Sequence, residues 1–185
     1  MIEDILQQAE KGMEKSIEAL KVAFARIRTG RASPSLLDDI NVDYYGTPTP
    51  LNQVASVTVE DGRALLISPW EKKMVPVIEK AILKSDLGLT PNSSADVIRL
   101  PMPPLTEESR RQLSKQARAE AESARVSVRA VRRDANAEAK ALLKEKEISE
   151  DEARGAEEAI QKLTDRFVAR VDELLQAKEA DLMEI

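Results

Sequence analysis

Residues 106–146 read TEESRRQLSKQARAEAESARVSVRAVRRDANAEAKALLKEK, and neither glycine nor proline interrupts them. A run of that length extends roughly 60 Å as an α-helix. Pro103 and Pro104 stop whatever precedes it. Thr106 is a good N-cap, with Glu107 and Glu108 in the first turn, where negative charge meets the positive end of the helix dipole. At about 100° per residue, Leu113, Ala117, Ala121, Ala124, Val128, Val131, Ala135, Ala139 and Leu142 fall on one narrow stripe. Its alanines let neighbouring helices come close. A second stripe, about a third of a turn away, carries Arg111, Lys115, Arg118, Arg125, Arg129 and Arg132, with Arg133 at its edge. One side of the helix packs, and another presents cations.

Most charged helix faces are solvated and mix both signs in intrahelical pairs. Between Ser109 and Arg133, however, eight Lys/Arg stand against two acids, Glu120 and Glu122. Cations spaced three, four or seven positions apart repel one another, and arginine, which outnumbers lysine here, suits bidentate phosphate contacts. A polyanion is the reading this favours. An adaptor whose bundle meets an acidic protein surface is the alternative.

The net charge of −5 argues against a nucleic-acid partner only until it is divided. Residues 1–30 are neutral, 31–105 carry −2, 107–146 carry +4 and 147–185 carry −7. A basic helix is embedded in an acidic chain, so electrostatic steering is directional. With no cysteine and no histidine, disulfides, thiolate nucleophiles, Cys/His zinc sites and imidazole acid–base catalysis are excluded. No glycine-rich phosphate loop or nucleophile elbow occurs. Asp38, Asp39 and Asp43 form the best acid cluster outside the helices, and they read as a solvated strand edge rather than a metal site. The expectation is no enzyme, no cofactor and no metal. The N-terminus lacks a basic leader and no apolar run is long enough to span a bilayer, so a cytoplasmic protein without a membrane partner is expected.

In chain order, Ile2, Leu6, Ala9, Met13, Ile17, Leu20, Phe24 and Ile27 give the 3/4 spacing of a bundle helix ending at Gly30, with Arg26, Arg28 and Arg31 crowded at that end. The period then changes to that of strands. A first strand over 36–45 is expected to end at Gly46-Thr47-Pro48-Thr49-Pro50, and 54–60 with 63–68 forms a hairpin about Asp61-Gly62. A short helix with Pro76 in its first turn runs to Gly88, and 89–90 and 97–100 supply two more strands around the loop Pro91-Asn92-Ser93-Ser94. After the long helix, Ser149-Glu150-Asp151-Glu152 is a capping box opening a last helix. Its apolar stripe runs from Ala153 through Ala156, Ile160, Leu163, Phe167, Val171 and Leu174 to Leu182.

The spacing therefore predicts an α+β chain. An elongated antiparallel three-helix bundle is built from 1–30 and 105–185, and a small β/α/β domain over 31–104 is inserted into it. Hinges are expected near 30–33 and 101–105. Gly30, Ala32 and Ser33 allow rotation on one side, while Pro101, Pro103 and Pro104 keep the other side extended.

Three stretches carry a resemblance: Arg28-Thr29-Gly30-Arg31-Ala32-Ser33-Pro34-Ser35-Leu36-Leu37, Tyr44-Tyr45-Gly46-Thr47-Pro48, and Val128-Arg129-Ala130-Val131-Arg132-Arg133-Asp134-Ala135-Asn136. With the closing Lys178-Glu179-Ala180-Asp181-Leu182, the sequence resembles the bacterial ribosome-recycling factor family over its whole length. The resemblance implies a near-L-shaped monomer that binds the large ribosomal subunit after termination. With elongation factor G and GTP, it would drive the subunits apart and release the messenger RNA. It also implies that Arg28, Arg31, Arg129, Arg132, Arg133 and Asn136 face ribosomal RNA. The stripe adds Arg111, Arg118 and Arg125 to that list.

Overall fold

The structure is a computed structural model describing residues 1–183, and the chain folds into two compact units. The first comprises residues 1–24 and 114–180, and the second 25–113 with 181–183. Long helices dominate: α1 (Ile2–Arg26), α3 (Glu107–Lys144) and α4 (Glu150–Met183).

The starts of α3 and α4 are capped as their sequences predict. The Ser109 N–H donates to Thr106 Oγ1 at 3.0 Å. At α4 the box closes in both directions, Glu152 N–H to Ser149 Oγ at 3.1 Å and Ser149 N–H to Glu152 Oε1 at 3.2 Å.

In the first unit, ion pairs set the helix directions. Arg166 reaches Glu10 and Arg170 reaches Glu14, so one step of four residues along α4 matches the same step along α1, and these two helices run parallel. Arg118 reaches Glu179 and Arg125 reaches Asp172, so α3 runs antiparallel to α4. The small-residue stripe of α3 is the packing face: Ala117, Ala121, Ala124, Val128, Ala135 and Ala139 are all buried. At one end Ile5 and Ala9 of α1, Ala135 and Ala139 of α3, and Ala156 and Ile160 of α4 form a single cluster. Each buried Ile or Met side chain contributes about 1.5–3 kcal/mol relative to exposure. The alanines contribute chiefly by letting the backbones close in. Gly12 does the same from α1, since a Cβ there would stand 3.1 Å from a Val131 methyl.

The second unit surrounds a core that includes Leu36, Leu37, Val42, Leu65, Ile67, Ile78, Ile82, Ile98 and Leu100. A four-stranded antiparallel sheet orders β3 (Ala55–Glu60), β4 (Ala64–Pro69), β6 (Ile98–Pro101) and β5 (Asn92–Ser93). Beside it lie a two-stranded sheet of β1 (Asn41–Tyr44) and β2 (Thr47–Pro50), and the helix α2 (Val75–Lys84). The Tyr45-Gly46 turn (φ 52° and 85°) uses the left-handed backbone that a two-residue hairpin requires, and Asp61-Gly62 (φ 52° and 69°) adopt the same backbone in a connection of three residues, 61–63, because Glu60 pairs with Ala64.

Four expectations are corrected. Helix α1 stops at Arg26 rather than Gly30, because Ile27 is buried and the Arg28 guanidinium turns to the Pro103 carbonyl, long-range contacts that override a local stop signal. Residues 34–37 form a 3₁₀ turn started by Pro34, so the first strand shrinks to 41–44. The segment Thr47-Pro48-Thr49-Pro50 is a strand and not merely a terminator. The short strand near residue 90 falls instead on Asn92–Ser93, within the expected loop, where β6 supplies its partners.

No helix among the described residues is long and apolar enough to cross a membrane. No group of three or more acidic side chains among them could hold a metal ion.

Candidate nucleic-acid interface

The cation stripe of α3 exists as the helical period dictates, but its members are not equivalent. Arg111 pairs with Glu107 at 2.8 Å one turn back. Arg118 Nε lies 2.7 Å from Glu179 of α4. Arg125 is gripped most firmly: its Nη2 lies 2.6 Å from Asp172, its Nε donates to the same carboxylate at 3.0 Å, and its Nη1 reaches Glu122 at 3.1 Å. Only 19% of the Arg125 side chain is exposed, and its hydrogen bond to Asp172 holds the guanidinium above its ordinary pKa.

Beyond Arg125 the pairing lapses. Arg129 has a single loose contact, 3.6 Å to Glu122, which Arg125 already shares. Arg132 and Arg133 have no hydrogen bond or ion pair among the described residues. Asn136 follows one turn after Arg132 and Arg133, and its Oδ1 is buried without a hydrogen-bond donor among the described residues. Arg129, Arg132, Arg133 and Asn136 thus lie within about two helical turns.

The arginines expected near the end of α1 are placed in the second unit. Arg28 donates from Nη2 to the Pro103 carbonyl at 2.8 Å, its Nε is buried without an acceptor among the described residues, and desolvation pushes its pKa below the ordinary value. Arg31 is exposed, and its own N–H donates to Thr29 Oγ1 at 3.2 Å. Arg26, which sequence reasoning did not single out for binding, pairs with Asp39 at 2.9 Å.

The expected hinge residues divide as well. Ala32 N–H donates to the Gly62 carbonyl at 2.9 Å, and Met102 N–H to the Arg63 carbonyl at 2.7 Å, so the β3–β4 turn holds both connecting segments. Pro101 ends β6 opposite Ala64. Ser33 Oγ lies 2.7 Å from Ser35 Oγ. Gly30 has open space around it. Pro103 supplies the acceptor for Arg28, and Pro104 continues the segment towards Thr106.

Fold and charge together define a class: a helical-bundle protein carrying a small α/β unit, with weakly paired arginines on its longest helix. Residues 20–183 match the family described as Ribosome recycling factor. A protein of Saccharophagus degradans described as ribosome-recycling factor is 63% identical over 185 residues, all of both chains. A solution structure of a ribosome recycling factor superposes with a TM-score of 0.78 at 42% identity, covering 100% of this chain and 98% of the other. A second structure, 43% identical with a TM-score of 0.69 and complete coverage of both chains, is of the T. thermophilus ribosome recycling factor, described with E. coli elongation factor G bound to the E. coli post-termination complex. The chain belongs to the ribosome recycling factor family.

Proposed function

We propose that this chain binds the large ribosomal subunit of post-termination complexes and, with elongation factor G and GTP, splits the subunits and releases the messenger RNA. The observation that carries the RNA contact is the patch of Arg129, held only by a loose 3.6 Å contact to Glu122, with Arg132 and Arg133, which have no ion pair among the described residues. Arg28 and Arg31, after the end of α1, add further contacts to RNA. Arg111, Arg118 and Arg125 contribute a weaker, neutralised field. Family membership supports the assignment of ribosome and elongation factor G as partners.

In this reading the protein acts as a monomer in the cytoplasm with no catalysis, cofactor or metal of its own. GTP hydrolysis belongs to the elongation factor. Residues 1–30 with 105–185 anchor, and 31–104 is the part displaced. The freedom is assigned to Gly30, with Ala32, Ser33 and Pro101 as the tethered rim of the hinge and Pro103-Pro104 as its extended spacer.

Cosedimentation with vacant ribosomes followed by a subunit-splitting assay tests the proposal. Binding to the large subunit and splitting that needs both elongation factor G and GTP are expected. Binding without any splitting would leave only an adaptor.

A further inference from the structure

The two-stranded sheet of the second unit has one closed edge and one open edge. Antiparallel pairs alternate between residues that exchange ladder bonds and residues that do not. Strand β1 pairs Asn41 with Pro50, Val42 with Thr49, Asp43 with Pro48 and Tyr44 with Thr47. Proline has no N–H, and Leu51 donates to the Ile40 carbonyl at 3.0 Å, so Ile40, Val42 and Tyr44 face their backbone groups to β2. Pro48 and Pro50 then point outward, leaving the outer side of β2 without donors at those positions, a common protection against strand addition. On the other side, the N–H and C=O of Asn41 and Asp43 point away from β2, and no hydrogen bond among the described residues takes them up.

That open edge borders a groove of about 480 Å³ between β1 and α2. Val77 and Ala81 give it apolar wall, and Lys80 and Lys84, one helical turn apart and exposed, stand over it. Neither lysine pairs with a carboxylate among the described residues. Of the two acids in the groove, Asp39 is paired with Arg26 at 2.9 Å, while Asp43 accepts the Gly46 N–H at 2.8 Å and keeps its charge, so the two lysines outweigh one free carboxylate. Strand edge, apolar wall and free cations form the arrangement in which domains receive an extended peptide as an added strand. The other sheet offers less: β5 is two residues long, and the groove beside β3 has Asp38 as its one charge among the described residues.

We propose that β1 and α2 dock an extended acidic segment of a protein partner. The segment adds to the sheet at Asn41 and Asp43 and sets carboxylates against Lys80 and Lys84. The arginine patch of α3 plays no part in this contact.

The test is solution NMR of the full chain titrated with the capped hexapeptide Glu-Val-Glu-Val-Glu-Val, its Lys-for-Glu counterpart, and an acidic version N-methylated at alternate residues. The acidic peptide should shift the Asn41 and Asp43 amide signals and slow their hydrogen exchange. Combining Lys80→Glu with Lys84→Glu should weaken binding at least about tenfold, because both rim attractions become repulsions. The other two peptides should not bind. Four results would each overturn the proposal: no change at the two amides up to millimolar peptide, equal binding of the N-methylated peptide, binding confined to the α3 arginines, or protection of the two amides by self-association without peptide.

Discussion

Two stretches of α3 carry arginines on the same face, yet the structure treats them oppositely. From Arg111 to Arg125 each stripe arginine meets a carboxylate at 2.8 Å or less, while from Arg129 to Arg133 the one contact among the described residues is 3.6 Å long. The cause lies in the partner helix. Glu179 and Asp172 of α4 come up beside Arg118 and Arg125, and Lys115 is the stripe cation left unpaired in that stretch among the described residues. A count of charges along α3 therefore overstates the cationic surface left free. What matters for a polyanion is charge that the protein has not already neutralised, since a paired guanidinium must first give up its carboxylate.

Removing the free patch should have the largest effect. Changing Arg129, Arg132 and Arg133 together to Ala should weaken large-subunit binding by about 4.5 kcal/mol or more, taking about 1.5 kcal/mol or more per charged hydrogen bond. Thermal stability should hold, because none of the three is in the buried stripe. The matching triple change at Arg111, Arg118 and Arg125 should cost much less binding, as filter or sedimentation assays would read. Similar losses from both triples would erase the distinction between the two stretches.

A packing change separates the patch from its scaffold. Gly12→Leu drives a side chain into Val131, one residue before Arg132, and should cost about 1–3 kcal/mol in denaturant melts. Val131→Ala should recover part of that loss. Ribosome affinity should follow the same order if the position of α3 sets the position of the patch.

Freeing a paired arginine approaches the contrast from the other side. Asp172→Ala removes two of the hydrogen bonds on Arg125 and one local negative charge. Binding to large subunits should tighten by up to about 1 kcal/mol, the range for an exposed pair. Unchanged affinity would mean that Arg125 lies outside the footprint.

The smallest effect concerns pairing that has no bearing on RNA. The Arg170 guanidinium donates to Glu14 and holds that carboxyl below its ordinary pKa. A depressed carboxyl adds stability above its unfolded-state value and loses it as the pH falls through the native value. Glu14→Gln should thus lower the melting temperature slightly at neutral pH and not at all in strong acid, with ribosome binding unaffected.

Much of this architecture was legible because it is local. The Thr106 and Ser149 caps need only their own first turns, and the buried alanines of α3 follow from a 3.6-residue period. Strand β2 was not, because Pro48 and Pro50 signal a turn wherever the chain is read alone. Their missing N–H groups are harmless only once β1 lies on the other side. The end of α1 depends on a hydrogen bond from Arg28 to Pro103, and β5 on pairing with β6. The candidate site was half legible. The period located the stripe, but the register of α4 decides which arginines are spent on Glu179 and Asp172, and no spacing within α3 contains that register.

If RNA meets the unpaired end of the stripe, salt dependence must distinguish its two ends. The quantity to measure is the slope of log affinity for large subunits against log salt, for the parent chain and two single variants. Removing one phosphate contact should reduce that slope by about 0.7–0.9 if nucleic-acid values transfer. Arg132→Ala should flatten it by about that amount, while Arg118→Ala should leave it nearly unchanged. Equal flattening by the two variants, or none by Arg132→Ala, would contradict the division of the stripe into a spent end and a free one.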